Sequence, residues 1–145
     1  WIGMLATLLA AVQIFYNLPE NPNGLVADAS AEQWSLTIES DLQAQNQAYL
    51  INFTAAWCIT CQTNEKTALA RDKVKEYIKE QNITYIKADW TNRNEEIAVG
   101  LAKYERTGIP LYIFWKPGFQ TAEVLPAILT EQILLDTFED DIIDN

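Results

Sequence analysis

The sequence contains no histidine and only two cysteines, and these absences narrow the chemistry open to it. A structural zinc site needs about four ligands. With no histidine and no third cysteine, an intrachain structural zinc site is close to excluded. Two cysteines can form at most one intrachain disulfide, which is too few for a disulfide-stabilised scaffold. The stability of the folded chain must therefore come from packing. The chain has 145 residues, 49% of them hydrophobic, which is enough for the core of one ordinary domain.

Basic residues are scarce as well. The chain has ten Lys and Arg against twenty Asp and Glu, which gives a formal net charge of −10. A nucleic-acid-binding surface must offer a basic face to the phosphates. We therefore expect no nucleic-acid partner.

Residues 1–19 carry no charged side chain, and residues 1–16 form an apolar segment. A helix of that length spans about 24 Å, slightly less than the hydrocarbon core of a bilayer. We interpret 1–16 as the end of a transmembrane helix that tethers the chain to a membrane. The alternatives are the hydrophobic region of a signal peptide, although no basic residue precedes it, and an amphipathic core helix.

The first Lys or Arg in the chain is Lys66. Cytoplasmic flanks of transmembrane helices are enriched in Lys and Arg. The long stretch without them therefore predicts that the segment after the membrane helix is exported.

Composition also divides the rest of the chain. Residues 17–33 contain proline, glycine and several asparagines, which is typical of a linker. We expect one domain over residues 34–140, followed by a solvated acidic tail at 141–145.

The most specific signal is a Cys-x-x-Cys motif at Cys58 and Cys61. Residues 49–54 form an apolar run that predicts a buried strand, and residues 62–70 are rich in helix formers without Pro or Gly. Cys58 is therefore expected at a helix N-terminus, where unpaired N–H groups and the helix dipole favour the thiolate. Cys61 lies one turn further in, close enough to close a disulfide or to resolve a mixed disulfide.

The same pair has other possible roles. It could form a structural disulfide, provide half of a zinc site, or simply fill the core. A structural disulfide usually closes a longer loop, and zinc lacks its remaining ligands. We therefore favour a redox-active disulfide that works without any other cofactor.

Hydrophobic periodicity predicts an α/β domain around the motif. The expected strands are 34–36, 48–54, 83–88, 111–115 and 122–125. The expected helices are 38–45, capped by Thr37, then 58–70, a stretch from Asp72, 95–104 and 131–138.

This order of elements resembles that of thioredoxin. Four blocks, at 52–65, 87–93, 108–112 and 125–130, are similar to the C-terminal domain of DsbD-like thiol:disulfide interchange proteins. The resemblance covers roughly residues 30–140. It implies an α/β, thioredoxin-like fold in which a central mixed β-sheet is flanked by helices and preceded by the apolar segment.

The resemblance also implies roles for individual residues. Cys58 matches the attacking cysteine, Cys61 the resolving cysteine, and Pro110 the cis-proline that faces the disulfide. Glu65 matches an acidic residue near the site in some relatives, with an ordinary exposed helix residue as the alternative. Trp57 either shapes the rim of the site or is a packing aromatic.

Two positions depart from the family pattern. Asn52 stands where many thioredoxin-like chains carry a buried Asp, and Ala56 stands where DsbD itself has an acid. Because Asn cannot accept a proton, a proton relay here would have to use Glu65 or water. No chemistry is assigned to Trp90 or Thr91.

The expected function is that of an exported, membrane-tethered protein-disulfide reductase. In the family that the chain resembles, a membrane domain passes electrons to this exported domain. The resemblance therefore implies a transmembrane domain of the same or a partner chain as donor, exported protein disulfides as acceptors, and a place at the bacterial inner membrane on the periplasmic side. The alternative is a thioredoxin-like module that handles a soft metal such as Cu(I), although copper chaperones of that fold would be expected to add a His ligand.

Overall fold

The strands of the domain assemble into one mixed sheet. The computed structural model describes residues 31–139, so the apolar segment 1–16, most of the linker and the acidic tail lie outside the described residues. The strands are β1 (Glu32–Gln33), β2 (Tyr49–Thr54), β3 (Thr84–Asp89), β4 (Leu111–Trp115) and β5 (Glu123–Leu125). Their order across the sheet is β1-β3-β2-β4-β5. Strands β1 and β2 run parallel to β3, whereas β4 is antiparallel to both β2 and β5.

Helices cover both faces of this sheet. They are α1 (Ile38–Ala44), α2 (Ile59–Asn64), α3 (Asp72–Glu80), α4 (Glu95–Lys103) and α5 (Glu131–Glu139), and a π-helical segment, Glu65–Leu69, continues α2. The thioredoxin-like α/β fold is thus confirmed for the described part of the chain. Within residues 31–139, no helix is long and apolar enough to cross a bilayer.

The core lies on both sides of β2, because alternate side chains of a strand point to opposite faces. Tyr49, Ile51 and Phe53 pack on the face covered by α1 and α4. Leu50 packs on the other face, against residues of the π-helical segment, α3 and α5. Asn52 and Thr54 share that second face with Leu50, and it is the face that carries the cysteine helix.

Three details differ from the sequence prediction. The first strand lies at Glu32–Gln33 instead of 34–36, because Trp34 packs in the core while the two residues before it pair with β3 through their backbones. Thr37 occupies the N-cap position of α1, but its side chain makes no capping hydrogen bond. The helix expected from Cys58 begins at Ile59.

An ion pair between a buried carboxylate and an exposed lysine joins the two helices on one face of the sheet. Glu39 of α1 is 3% exposed and accepts hydrogen bonds from Lys103 Nζ at 2.8 Å and from the hydroxyl of Tyr104. A buried carboxylate is tolerated only when its oxygens are paired in this way. The pair therefore fixes α1 against the end of α4.

The close approach of α4 to Trp34 requires a glycine at position 100. An alanine Cβ there would lie 2.5 Å from Trp34 Cζ2, and Trp34 is itself packed against Phe53 with ring centroids 5.7 Å apart. We expect Gly100→Ala to lower the free energy of unfolding by about 1–3 kcal/mol, as measured by urea denaturation.

Gly108→Ala is the matched control, because no heavy atom of residues 31–139, apart from those of its two chain neighbours, lies within 4 Å of the Cβ it would add. Its stability should stay within about 1 kcal/mol of the parent chain. Equal stability of the two alanine variants would contradict the packing account of Gly100.

Candidate functional site

The cysteine pair lies at the point where β2 gives way to α2. Cys58 has extended backbone angles and caps the helix, and its sulfur accepts a hydrogen bond from the backbone N–H of Cys61 at 3.2 Å. Cys58 and Cys61 are joined by a disulfide. In the reduced protein the same N–H group and the helix dipole would stabilise a thiolate on Cys58.

Both cysteines are largely enclosed, but not equally. Cys58 is 8% exposed, whereas Cys61 is 0% exposed. They form a small apolar cluster with Ala55, against which Ile109 packs. The Ile109–Pro110 peptide bond is cis. The structure thus places Ile109, the residue before Pro110, against the cysteine pair. That Pro110 itself faces the disulfide, as the resemblance implies, stays a prediction.

A loop after β3 fastens the turn that precedes Cys58. The Thr91 hydroxyl accepts a hydrogen bond from the Ala56 backbone N–H at 2.8 Å and donates one to Asp89 Oδ1. The Thr91 carbonyl accepts a hydrogen bond from the Trp57 indole N–H at 3.1 Å. Sequence reasoning gave Thr91 no role, and its contacts show that it holds the entrance to the motif in place.

Trp57, which directly precedes Cys58, contacts two residues from that loop. Its side chain is about half exposed, and its ring centroid lies 6.2 Å from that of Trp90. The guanidinium carbon of Arg93 lies 4.7 Å from the Trp57 ring centroid and 5.3 Å from that of Trp90. Cation–π contacts of this kind hold the two rings and the cation as one unit.

Glu65 begins the π-helical segment that continues the cysteine helix, and it is not the ordinary exposed helix residue offered as the alternative. One of its oxygens, Oε1, accepts hydrogen bonds from Asn52 Nδ2 at 3.1 Å and Thr54 Oγ1 at 3.0 Å. Lys87 Nζ lies 3.7 Å from the same oxygen. Glu65 also lines a cavity of about 180 Å³ that includes Thr54 and Lys87. Asn52, which departs from the family pattern, therefore serves as a donor that orients the acid.

Asn64 ties the cysteine helix to the segment before α5. Its amide nitrogen donates to the Ala127 carbonyl at 2.8 Å and to the Tyr112 hydroxyl at 2.9 Å, while its amide oxygen accepts from the Leu129 N–H at 3.2 Å. Burial raises the pKa of Tyr112 to about 12, so its hydroxyl stays protonated at neutral pH. The polar groups of this cross-link are therefore neutral.

No group of three or more His, Cys, Asp or Glu side chains is placed to hold a metal ion within residues 31–139. The chemistry that the described site can offer is that of the two sulfur atoms, of the backbone groups beside them and of the Glu65 carboxylate.

Comparison with known proteins agrees with this geometry. A family model described as thioredoxin-like matches residues 34–117, more than half of the chain. The chain is 33% identical over 73 residues to the thiol:disulfide interchange protein DsbD of Yersinia pestis, and 23% identical over 97 residues to DsbD of Campylobacter jejuni. These matches cover 50% and 67% of this chain but only 12% and 17% of the relatives' lengths.

Solved structures show the same fold. The C-terminal domain of Neisseria meningitidis DsbD in its reduced form superposes with a TM-score of 0.58 at 18% identity, over 71% of this chain and 89% of that one. A thioredoxin from Thermus thermophilus gives a TM-score of 0.56, also at 18% identity, over 76% and 85%.

The unequal environments of the cysteines predict unequal reactivity. When the protein is reduced and treated with limiting iodoacetamide near neutral pH, we expect the label predominantly on Cys58, because Cys58 accepts the N–H bond and has the greater exposure. Peptide mapping by mass spectrometry measures the ratio. Predominant labelling of Cys61 would reverse the two roles.

Proposed function

Because the chain belongs to the thioredoxin-like family, we propose that it is a thiol:disulfide oxidoreductase that reduces disulfides in other proteins. The observation that carries the proposal is the Cys58–Cys61 disulfide at the start of a helix, with only Cys58 reaching the surface. The DsbD relatives, which are named thiol:disulfide interchange proteins, support the same activity.

The proposed reaction begins with the reduced pair. The Cys58 thiolate attacks one sulfur of the partner's disulfide, the partner's S–S bond breaks, and its other sulfur leaves as a thiolate that takes up a proton. Cys61 loses its proton and attacks the Cys58 sulfur of the mixed disulfide. The second partner thiolate leaves, and two electrons have passed to the partner while the Cys58–Cys61 disulfide forms.

Glu65 is the proposed acceptor of the Cys61 proton. Residues four apart on a helix lie on the same side of it, so the acid is on the side that carries the resolving cysteine. Hydrogen bonds from Asn52 and Thr54 fix its orientation. An acid that is fixed close to the thiol can take the proton as the new S–S bond forms.

The proposal also covers the electron donor, the membrane anchor and the acceptors of the domain. We propose that a transmembrane domain of the same or a partner chain reduces the Cys58–Cys61 disulfide. The apolar segment 1–16 attaches the domain to the bacterial inner membrane, and the domain reduces exported protein disulfides on the periplasmic side. The support is the uncharged N-terminal sequence and the relation to DsbD proteins, which are several times longer than the matched stretch.

The order of attack can be tested with insulin as a protein disulfide. The reduced chain should reduce insulin, whereas Cys61→Ser should accumulate an insulin adduct through Cys58, because a hydroxyl cannot resolve the mixed disulfide. Cys58→Ser is the matched control and should accumulate far less adduct on a non-reducing gel. Absence of insulin reduction would overturn the proposed activity, and equal trapping would overturn the order of attack.

The role of Glu65 can be separated from folding by a reagent that reports both steps. Dithiodipyridine releases one pyridinethione when Cys58 attacks and a second when Cys61 resolves the adduct. We expect Glu65→Gln to slow the second release at least about tenfold and to leave the first nearly unchanged.

The control is Glu76→Gln, which makes the same charge change on the exposed surface of α3. It should leave both phases unchanged. A second phase in Glu65→Gln as fast as in the parent chain would exclude Glu65 as the proton acceptor.

A further inference from the structure

We propose that Arg93, in cation–π contact with both Trp57 and Trp90, forms with Trp57 and Ile59 a docking surface that selects a partner segment with a carboxylate next to its disulfide. The inference deepens the proposed function, on which it rests, by naming the chemistry of the partner. Three observations carry it: the way Arg93 is held, the absence of an acid beside it, and the apolar residues that bracket Cys58.

The two tryptophan rings are fixed before any partner arrives. The Trp57 indole N–H donates to the Thr91 carbonyl at 3.1 Å, and the Trp90 indole N–H donates to the Asn94 carbonyl at 3.2 Å. The backbone N–H of Arg93 donates to the Trp90 carbonyl at 3.0 Å, which closes the turn. The rings that the guanidinium contacts are therefore preformed, which lowers the entropy lost on binding.

Arg93 is exposed, and within residues 31–139 its guanidinium group donates no hydrogen bond, so that its donors are available to a ligand. Its N–H donors lie in the plane of the group, in a geometry that matches the two oxygens of a carboxylate. Within residues 31–139, no carboxylate lies within ion-pair distance of Arg93. Two acids close to Arg93 in the sequence have partners of their own: Asp89 accepts hydrogen bonds from Thr91, and Glu96 accepts one from the Leu36 N–H at 3.3 Å.

The rest of the surface is apolar and directly flanks the nucleophile. Ile59 is 82% exposed and Trp57 is 47% exposed, on either side of Cys58 in the chain. Tryptophan and arginine are the residues that most often dominate binding energy in protein interfaces. A partner chain laid across this surface would cover Ile59 and Trp57 while its disulfide meets the Cys58 sulfur.

Charge decides which partner fits best. The chain carries a net charge of −10, so an acidic partner is repelled by most of the surface and attracted where a cation stands. Arg93 places that cation at the rim of the redox site. An acid next to the target disulfide would therefore be attracted towards Arg93, which contacts the residue before Cys58.

The test compares three small disulfides that differ in charge. Dithiobis(nitrobenzoate) carries a carboxylate on each ring, dithiodipyridine is uncharged at neutral pH, and cystamine carries two ammonium groups. The second-order rate constant of the reduced chain with each is measured by stopped flow for the parent, Arg93→Gln and Arg93→Lys. Lys79→Gln, an equal change of charge at an exposed position of α3, is the control.

We expect Arg93→Gln to lower the rate with dithiobis(nitrobenzoate) about fivefold and to leave the rate with dithiodipyridine within about twofold. The rate with cystamine should rise. Arg93→Lys, which keeps the charge but not the planar edge, should fall between, and high salt should remove the differences. Urea midpoints equal to the parent's establish that the variants are folded.

Each of the remaining outcomes would contradict either the docking proposal or the proposed function. If Arg93→Gln slows all three reagents equally, Arg93 acts on the Cys58 thiolate and the docking proposal is wrong. It is equally wrong if no rate changes, or if Lys79→Gln has the same effect as Arg93→Gln. If the parent chain itself does not react with dithiodipyridine through Cys58, the proposed function fails, whatever the role of Arg93.

Discussion

Strand β2 is the constraint on which both the core and the redox site depend. It is buried along its whole length, with β3 parallel on one side and β4 antiparallel on the other. Its odd-numbered residues pack under α1 and α4, and its even-numbered residues face the cysteine helix. A shift of one residue in register would exchange the two faces and would carry Asn52 and Thr54 away from Glu65. The same register of β2 therefore packs the core and places Asn52 and Thr54 against the Glu65 carboxylate.

Much of this arrangement could be predicted from the sequence where burial alone determines structure. Strand β4 is an uninterrupted apolar run, β2 is apolar except at Asn52 and Thr54, and the sequence locates both within one residue. The sequence places the first strand wrongly, at 34–36. Trp34 is large and apolar, which favours a strand prediction at that position, but its side chain packs in the core. The polar pair before it forms the edge strand, because edge pairing uses backbone groups that every residue has.

The polar contacts of the site could not be predicted, because they join residues that are distant in the chain. Thr91 meets Ala56 across 35 positions, and Asn52 meets Glu65 across 13. Nothing in residue type distinguishes an oriented glutamate from a solvated one. The change from α-helix to π-helix at Glu65 also has no simple sequence signal, since no Pro or Gly marks it. The redox chemistry of the two cysteines could be predicted, because a Cys-x-x-Cys spacing leaves few other roles for the pair.

The cross-link made by Asn64 has a consequence for how the two oxidation states differ. Three hydrogen bonds fasten the cysteine helix just beyond Cys61 to the sheet and to the segment before α5. Sliding the helix along its axis would break all three at once. We therefore expect any adjustment on opening the disulfide to be confined to the turn at residues 56–57 and to Cys58. The oxidised and reduced surfaces should then have nearly the same outline, and a partner would leave because its covalent bond is gone, not because the shape that received it has changed.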